Sequence, residues 1–200
     1  DLHAGLKSTD ENAPIHFAAE TNLMMYSRQN NNRIYFGDAI NETQIRTMGT
    51  VSGAISDEQR INIGVDMQNI FYNKDLALYS NEKVYENRTN LKLNPYYELT
   101  NDSWRLRLGA NVDLALGYGS FFRFSPDVVA QYVFSDSYVV YAKATGGRRT
   151  NDFRRLEIIS PYALPVYTIK DTYEQLNASL GFKASPFPGV WFNIYGGYQD

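Results

Sequence analysis

The chain has no cysteine, only two histidines, and no apolar run approaching the ~20 residues that a membrane-crossing helix needs. Without cysteine there is no disulfide framework and no thiolate nucleophile. His3 and His16 make no HExxH and no ligand spacing with nearby carboxylates, so no metal centre is expected. Asp10-Glu11-Asn12 offers oxygen ligands but lacks the spacing of a calcium loop. No G-x-S-x-G, phosphate-binding loop or dinucleotide fingerprint occurs, and no nucleophile and base can be paired. Neither enzymatic activity nor a cofactor is expected. Charged residues are 20% of the chain, below the ~25% usual for soluble domains. A net charge of −3 argues against nucleic acid as the main partner. The mean hydropathy of −0.42 excludes a bundle of membrane helices but not a membrane barrel, whose alternation cancels in any average. No charged segment followed by an apolar core stands at the start, so no signal peptide is read there.

What the chain has instead is aromatic residues, 14% of the total with 16 Tyr and 11 Phe, and period-2 alternation. The clearest case is residues 91–116. Leu91, Leu93, Pro95, Tyr97 and Leu99 alternate with polar residues going in, and Trp104, Leu106, Leu108, Ala110, Val112 and Leu114 do so coming out. With Asn101-Asp102 as the connection, Leu99 is expected opposite Trp104, Tyr97 opposite Leu106, and Leu93 opposite Ala110. Every apolar side chain then falls on one face and every charge on the other.

The same pattern runs through the rest. Residues 2–7, 15–25, 45–55 and 61–67 alternate, with a weaker segment at 33–40 and a polar, Tyr-rich stretch at 69–88. Residues 122–134 and 138–144 form a further hairpin, with Phe134 expected opposite Tyr138 and Ala130 opposite Ala142. Residues 176–184 and 190–198 meet across Ser185-Pro186-Phe187-Pro188-Gly189. Between them, residues 146–171 lose the pattern and read as a long loop. About ten strands result, with no amphipathic helix. Short and long connections alternate, which predicts a single all-β domain over residues 1–200, an antiparallel up-and-down meander. The chain opens and ends inside plausible strands, so it is expected to be part of a larger barrel, closing alone or self-associating.

Alternation alone does not separate a soluble sandwich from an outer-membrane-type β-barrel. Three features favour the barrel. The best hairpins supply the 9–11 residues per arm that a tilted membrane strand needs. Tyr97, Trp104, Tyr132, Phe134, Tyr138, Phe182 and Phe192 sit on the apolar face near the tight turns, as an interfacial girdle would. Short turns alternate with longer loops, as periplasmic turns do with extracellular loops. Outer-membrane lipid is then a partner.

The segments FRFSPDVVAQYVFSDSYVVYAKATGG, RRTNDFRRLEIISPYALP and YEQLNASLGFKASPFPGVWFNIYGGYQ resemble strands of Bacteroidetes outer-membrane proteins, in particular TonB-dependent-receptor-like β-barrels. The resemblance is clearest over residues 91–200. It implies a bacterial outer-membrane location and uptake of a polar solute. A full receptor of that kind also carries a plug domain and about 22 strands; no plug is read within these 200 residues.

Arg148, Arg149, Arg154 and Arg155 place four guanidinium groups within eight residues. Such forks recognise phosphate and carboxylate, so lipopolysaccharide or an anionic solute is one expectation. Pairing with Asp152, Glu157 and interior carboxylates, which would pin the loop, is the other. Across the strands, Lys92, Glu98, Arg105, Arg107, Asp113, Arg123, Asp127, Lys143, Gln175, Asn177, Lys183 and Asn193 face the lumen together with Tyr96, Tyr141, Trp191 and Tyr195. These aromatics suit stacking on sugar rings and filling the interior equally well. Two functions follow: transport or reception across the outer membrane, or a soluble or surface-exposed all-β module that binds saccharide or protein.

Overall fold

The computed structural model describes residues 1–10, 13–28, 40–72, 86–117, 121–135, 137–159 and 170–200. Ten strands form a single antiparallel sheet in chain order. They are β1 (Leu2–Lys7), β2 (Ile15–Arg28), β3 (Ile40–Ala54), β4 (Gln59–Tyr72), β5 (Arg88–Thr100), β6 (Trp104–Leu116), β7 (Phe122–Ser135), β8 (Tyr138–Arg149), β9 (Thr172–Phe187) and β10 (Val190–Gln199). Most are 12 to 16 residues long, about twice the usual strand length. The weak segment 33–39, the stretch 73–85, Tyr118-Gly119-Ser120 and Glu11-Asn12 lie outside the described residues.

The expected faces hold across the sheet, but the register of the β5–β6 hairpin is shifted by two. Leu99 lies opposite Leu106, Tyr97 opposite Leu108 and Leu93 opposite Val112. The reason is an Asn side chain. Asn101 Oδ1 accepts from the N–H groups of Ser103 and Trp104, at 3.1 and 2.8 Å, and the Asn101 N–H donates to the Trp104 carbonyl at 2.9 Å. This Asx-type closure centres the turn on Asp102-Ser103 instead of Asn101-Asp102. A shift of two leaves every side chain on its own face. In the β7–β8 hairpin Ala130 does lie opposite Ala142. Phe134 falls in an irregularity, and Ser135 takes the place opposite Tyr138. At β9–β10 the turn shrinks to Pro188-Gly189, with Gly189 at φ +81°.

The long loop is corrected in two ways. β8 continues to Arg149, and residues Phe153–Ile159 form a helix, α1. Asp152 caps it: its Oδ1 accepts the Arg155 N–H at 2.7 Å and its carbonyl accepts the Leu156 N–H at 3.1 Å. Seven residues show too little periodicity to be read as a helix from sequence. Residues 160–169 lie outside the described set.

The sheet is open, because β1 pairs only with β2 and β10 only with β9. The ten strands therefore do not close into a small barrel. They curl toward the polar face around α1, which occupies the concave side and reaches β2 and β3 from the far end of the meander. Burial is inverted relative to a water-soluble domain. Among the described residues the buried side chains are eight polar or charged, including Glu42, Asn111, Asp113 and Ser125, and four hydrophobic. By contrast, 29 large hydrophobic side chains are exposed.

Candidate functional site

The polar face carries the hydrogen-bonding side chains, and α1 covers one end of it. At the covered end, β3, β4, β5 and the β8–β9 connection converge. Glu42 is fully buried; its Oε1 accepts from Gln44 Nε2 at 2.7 Å and its Oε2 from the Phe153 N–H at 2.7 Å. The first N–H groups of a helix have no partner within it, so Glu42 supplies one from another strand. Tyr26 donates to Glu157 and its ring lies 6.0 Å from that of Phe153. Arg154 Nη1 meets Met24 Sδ at 2.7 Å. Helix α1 is thus held by β2 and β3 along its length.

Asp171 anchors the other end of the connection. Its carboxylate lies 3.2 Å from Arg88 Nη1 and 3.6 Å from Arg148 Nη1, and all three side chains are buried. It also accepts from the Asn151 N–H at 3.0 Å and from Asn90 Nδ2 at 3.2 Å. Arg88 Nη2 donates to the Asn151 carbonyl at 2.6 Å. Two cations around one carboxylate, with hydrogen bonds on its remaining lone pairs, are the conditions under which a buried charge is tolerated.

The four arginines singled out above part company here, and the β8–β9 pairing shows why. The register slips between Thr145 and Gly147, and Gly147 adopts φ +146°. A Cβ on Gly146 would lie 2.7 Å from the Gln175 and Glu174 carbonyl oxygens, so only glycine fits. The slip reverses the alternation. It sends Arg148 to the polar face and leaves Arg149, more than half exposed, paired with Glu174 at 3.5 Å. Arg155 turns back to the Thr150 carbonyl at 3.0 Å, and Arg154 lies on Met24.

Under α1 is a cavity of about 270 Å³, lined by Arg46, Asp66, Lys92, Asp113, Arg148, Asp152 and Arg155 among others. Arg46 is committed to Asp66 through a two-pronged contact at 2.9 and 2.6 Å. Farther toward the tight turns, Arg107 joins Asp127 at 2.8 Å, Glu98 at 3.6 Å and Asn94 at 2.8 Å, and it stacks 3.6 Å over the Tyr96 ring. Tyr141 lies over Gly181 and donates to Asn193 at 3.0 Å.

On the opposite face, six of the seven aromatics expected to form a girdle make a continuous belt. Ring centroids are 4.7 Å apart for Trp104–Tyr132, 5.5 Å for Tyr132–Phe134, 6.3 Å for Phe134–Phe182, 6.1 Å for Tyr138–Phe182 and 6.2 Å for Phe182–Phe192. Tyr97 sits on the same face between Ile61 and Leu108.

His3 meets Asn22 and lies 4.0 Å from Glu20, and no group of three metal-ligating side chains occurs among the described residues. Glu42, Arg88 and Asp171 were not singled out from the sequence. Alternation does place Glu42 on the charged side of β3, but its partner lies 111 residues away. No family model matches this chain, and no curated protein does either.

Proposed function

We propose that this chain forms the wall of an outer-membrane β-barrel that takes up or holds a polar solute, with no enzymatic step of its own. The observation that carries the reading is the inverted burial: apolar side chains line the outer face, and charged and amide side chains are bonded to one another inside. Phe17, Val51, Ile63, Leu108, Phe124 and Leu180 are 46–63% exposed in the middle of the sheet. In water each exposed side chain of this size forgoes about 1.5–3 kcal/mol of burial, and soluble monomers rarely expose such a contiguous patch. Lipid removes that cost. The aromatic belt beside the tight turns supports the same orientation, with its rings at the headgroup level. The resemblance to TonB-dependent-receptor-like barrels supplies the form of the proposal, solute uptake across a bacterial outer membrane.

The test uses Trp104. Trp191→Phe leaves it as the single tryptophan, and the protein is reconstituted in lipids brominated at different depths along the acyl chain. Trp104 fluorescence is expected to be quenched most by bromines near the headgroup and less by those at the chain centre. A chain that stays monodisperse in plain buffer, with Trp104 unquenched by any brominated lipid, is a soluble all-β module, and the membrane reading is then wrong.

A further inference from the structure

We propose that the cavity beneath α1 binds a small carboxylate that carries a hydrogen-bond donor on the adjacent carbon, that is, an amino acid or a hydroxy acid. This names the solute class for the lumen and rests on the reading above. The first observation is an unmatched buried acceptor. Asp113 is 3% exposed and lines the cavity, and its Oδ2 has no donor among the described residues. Leaving a buried acceptor unmatched is costly, so the site calls for a donor from a bound molecule. The second observation is a cation whose charge faces Asp113 but which donates no hydrogen bond among the described residues. Lys92 lies opposite Asp66 in β4 and Asp113 in β6, yet it forms no hydrogen bond or ion pair among the described residues. It lines the same cavity.

The charges select between ligand classes. Four cations and three carboxylates face the space. Arg46 and Asp66 satisfy each other, Arg148 is paired with Asp171, and Asp152 is engaged in capping α1. That leaves Lys92 and the remaining guanidinium nitrogens of Arg155 on one side, and Asp113 Oδ2 on the other. A simple anion would meet the Asp113 carboxylate, and a simple cation would meet Lys92 and Arg155. A molecule with a carboxylate toward Lys92 and Arg155 and an ammonium or hydroxyl toward Asp113 satisfies both. A volume of about 270 Å³ lies just below the range of pockets for drug-sized ligands, so the solute is small.

The probes are glycine and lactate, which carry both groups, acetate, which lacks the donor, and ethanolamine, which lacks the carboxylate. Binding is measured by calorimetry on the full Trp191→Phe chain reconstituted in lipid vesicles, in which the depth-dependent quenching of Trp104 has been established. Glycine and lactate are expected to bind at least tenfold more tightly than acetate or ethanolamine. Lys92→Gln and Asp113→Asn are each expected to weaken glycine binding at least tenfold, and Arg149→Ser, outside the cavity, to leave it unchanged. Should Asp113→Asn not fold, acylation of Lys92 in the unaltered protein, followed by mass spectrometry, is expected to slow when lactate is present and not when acetate is. Acetate binding as tightly as glycine overturns the proposal in favour of a plain anion site. Absence of binding by every probe, with Trp104 quenching intact, overturns it while leaving the membrane reading standing.

Discussion

Glu42 of β3 accepts the backbone N–H of Phe153 at 2.7 Å across 111 residues of sequence, and this one bond ties the start of α1 to the opposite part of the sheet. Glu42→Ala removes the acceptor from both that N–H and Gln44. Leaving buried donors unmatched costs about 1–3 kcal/mol, which is expected to fall on the local docking of α1. Trypsin cleavage after Arg154 and Arg155 reports the docking, and a loss near 1.4 kcal/mol gives about tenfold faster cutting. Glu42→Gln, which keeps one acceptor oxygen, is expected to fall between. Equal cutting rates in all three proteins would show that the bond does not hold the helix.

Asp171 and Arg149 predict a contrast between buried and exposed pairs. Asp171→Asn leaves Arg88 and Arg148, with side chains 6% and 8% exposed, without their shared carboxylate. Removing one partner of a buried pair costs about 3–5 kcal/mol. Arg149→Ser breaks a pair whose cation is 56% exposed, worth about 0–1 kcal/mol. Denaturant midpoints in detergent should separate the two variants clearly.

Two glycines paired across strands with tyrosines, Gly181 with Tyr141 and Gly109 with Tyr96, behave differently when given a side chain. A Cβ on Gly181 would lie 2.3–2.6 Å from the Tyr141 ring and hydroxyl, whereas one on Gly109 would meet Tyr96 Cβ at 2.5 Å and the Pro95 carbonyl at 2.9 Å. Both alanine variants are expected to lose about 1–3 kcal/mol. Adding Tyr141→Ala relieves Gly181→Ala, because the obstruction is the ring. Adding Tyr96→Ala does not relieve Gly109→Ala, because the obstruction is Cβ and backbone. Double-mutant unfolding cycles measure the difference.

Leu108, in the middle of β6 between Tyr97 and Val128, discriminates lipid from water on the outer face. Leu108→Arg is expected to cost about 2–4 kcal/mol in a bilayer and to lower the yield of inserted protein. On a water-exposed surface the same change stays within about 0.5 kcal/mol. Unfolding from lipid vesicles gives the number, and an unchanged stability would argue for a hydrated outer face.

Alternation made the strands, their order and their faces legible, since it is a property of residues i and i+2 and needs no distant partner. The same pattern placed the aromatics of the belt on the apolar face and the charges on the other, and it survived a two-residue error in the β5–β6 register because such a slip keeps each side chain on its side. It did not survive Gly146, where a local slip sends Arg148 inward and Arg149 outward; a run of four arginines in the sequence does not say where the alternation reverses. Helix α1 was invisible because seven residues hold barely two turns and its first donor is satisfied by Glu42 instead of a neighbour in sequence.

What the chain by itself determined is therefore which face of each strand is apolar. Only the tertiary structure decided that the polar face is the buried one. Burial there depends on how far the sheet curls and on which side the β8–β9 connection folds back, and both are set by contacts such as Glu42–Phe153 and Arg88–Asp171 that join residues far apart in the chain.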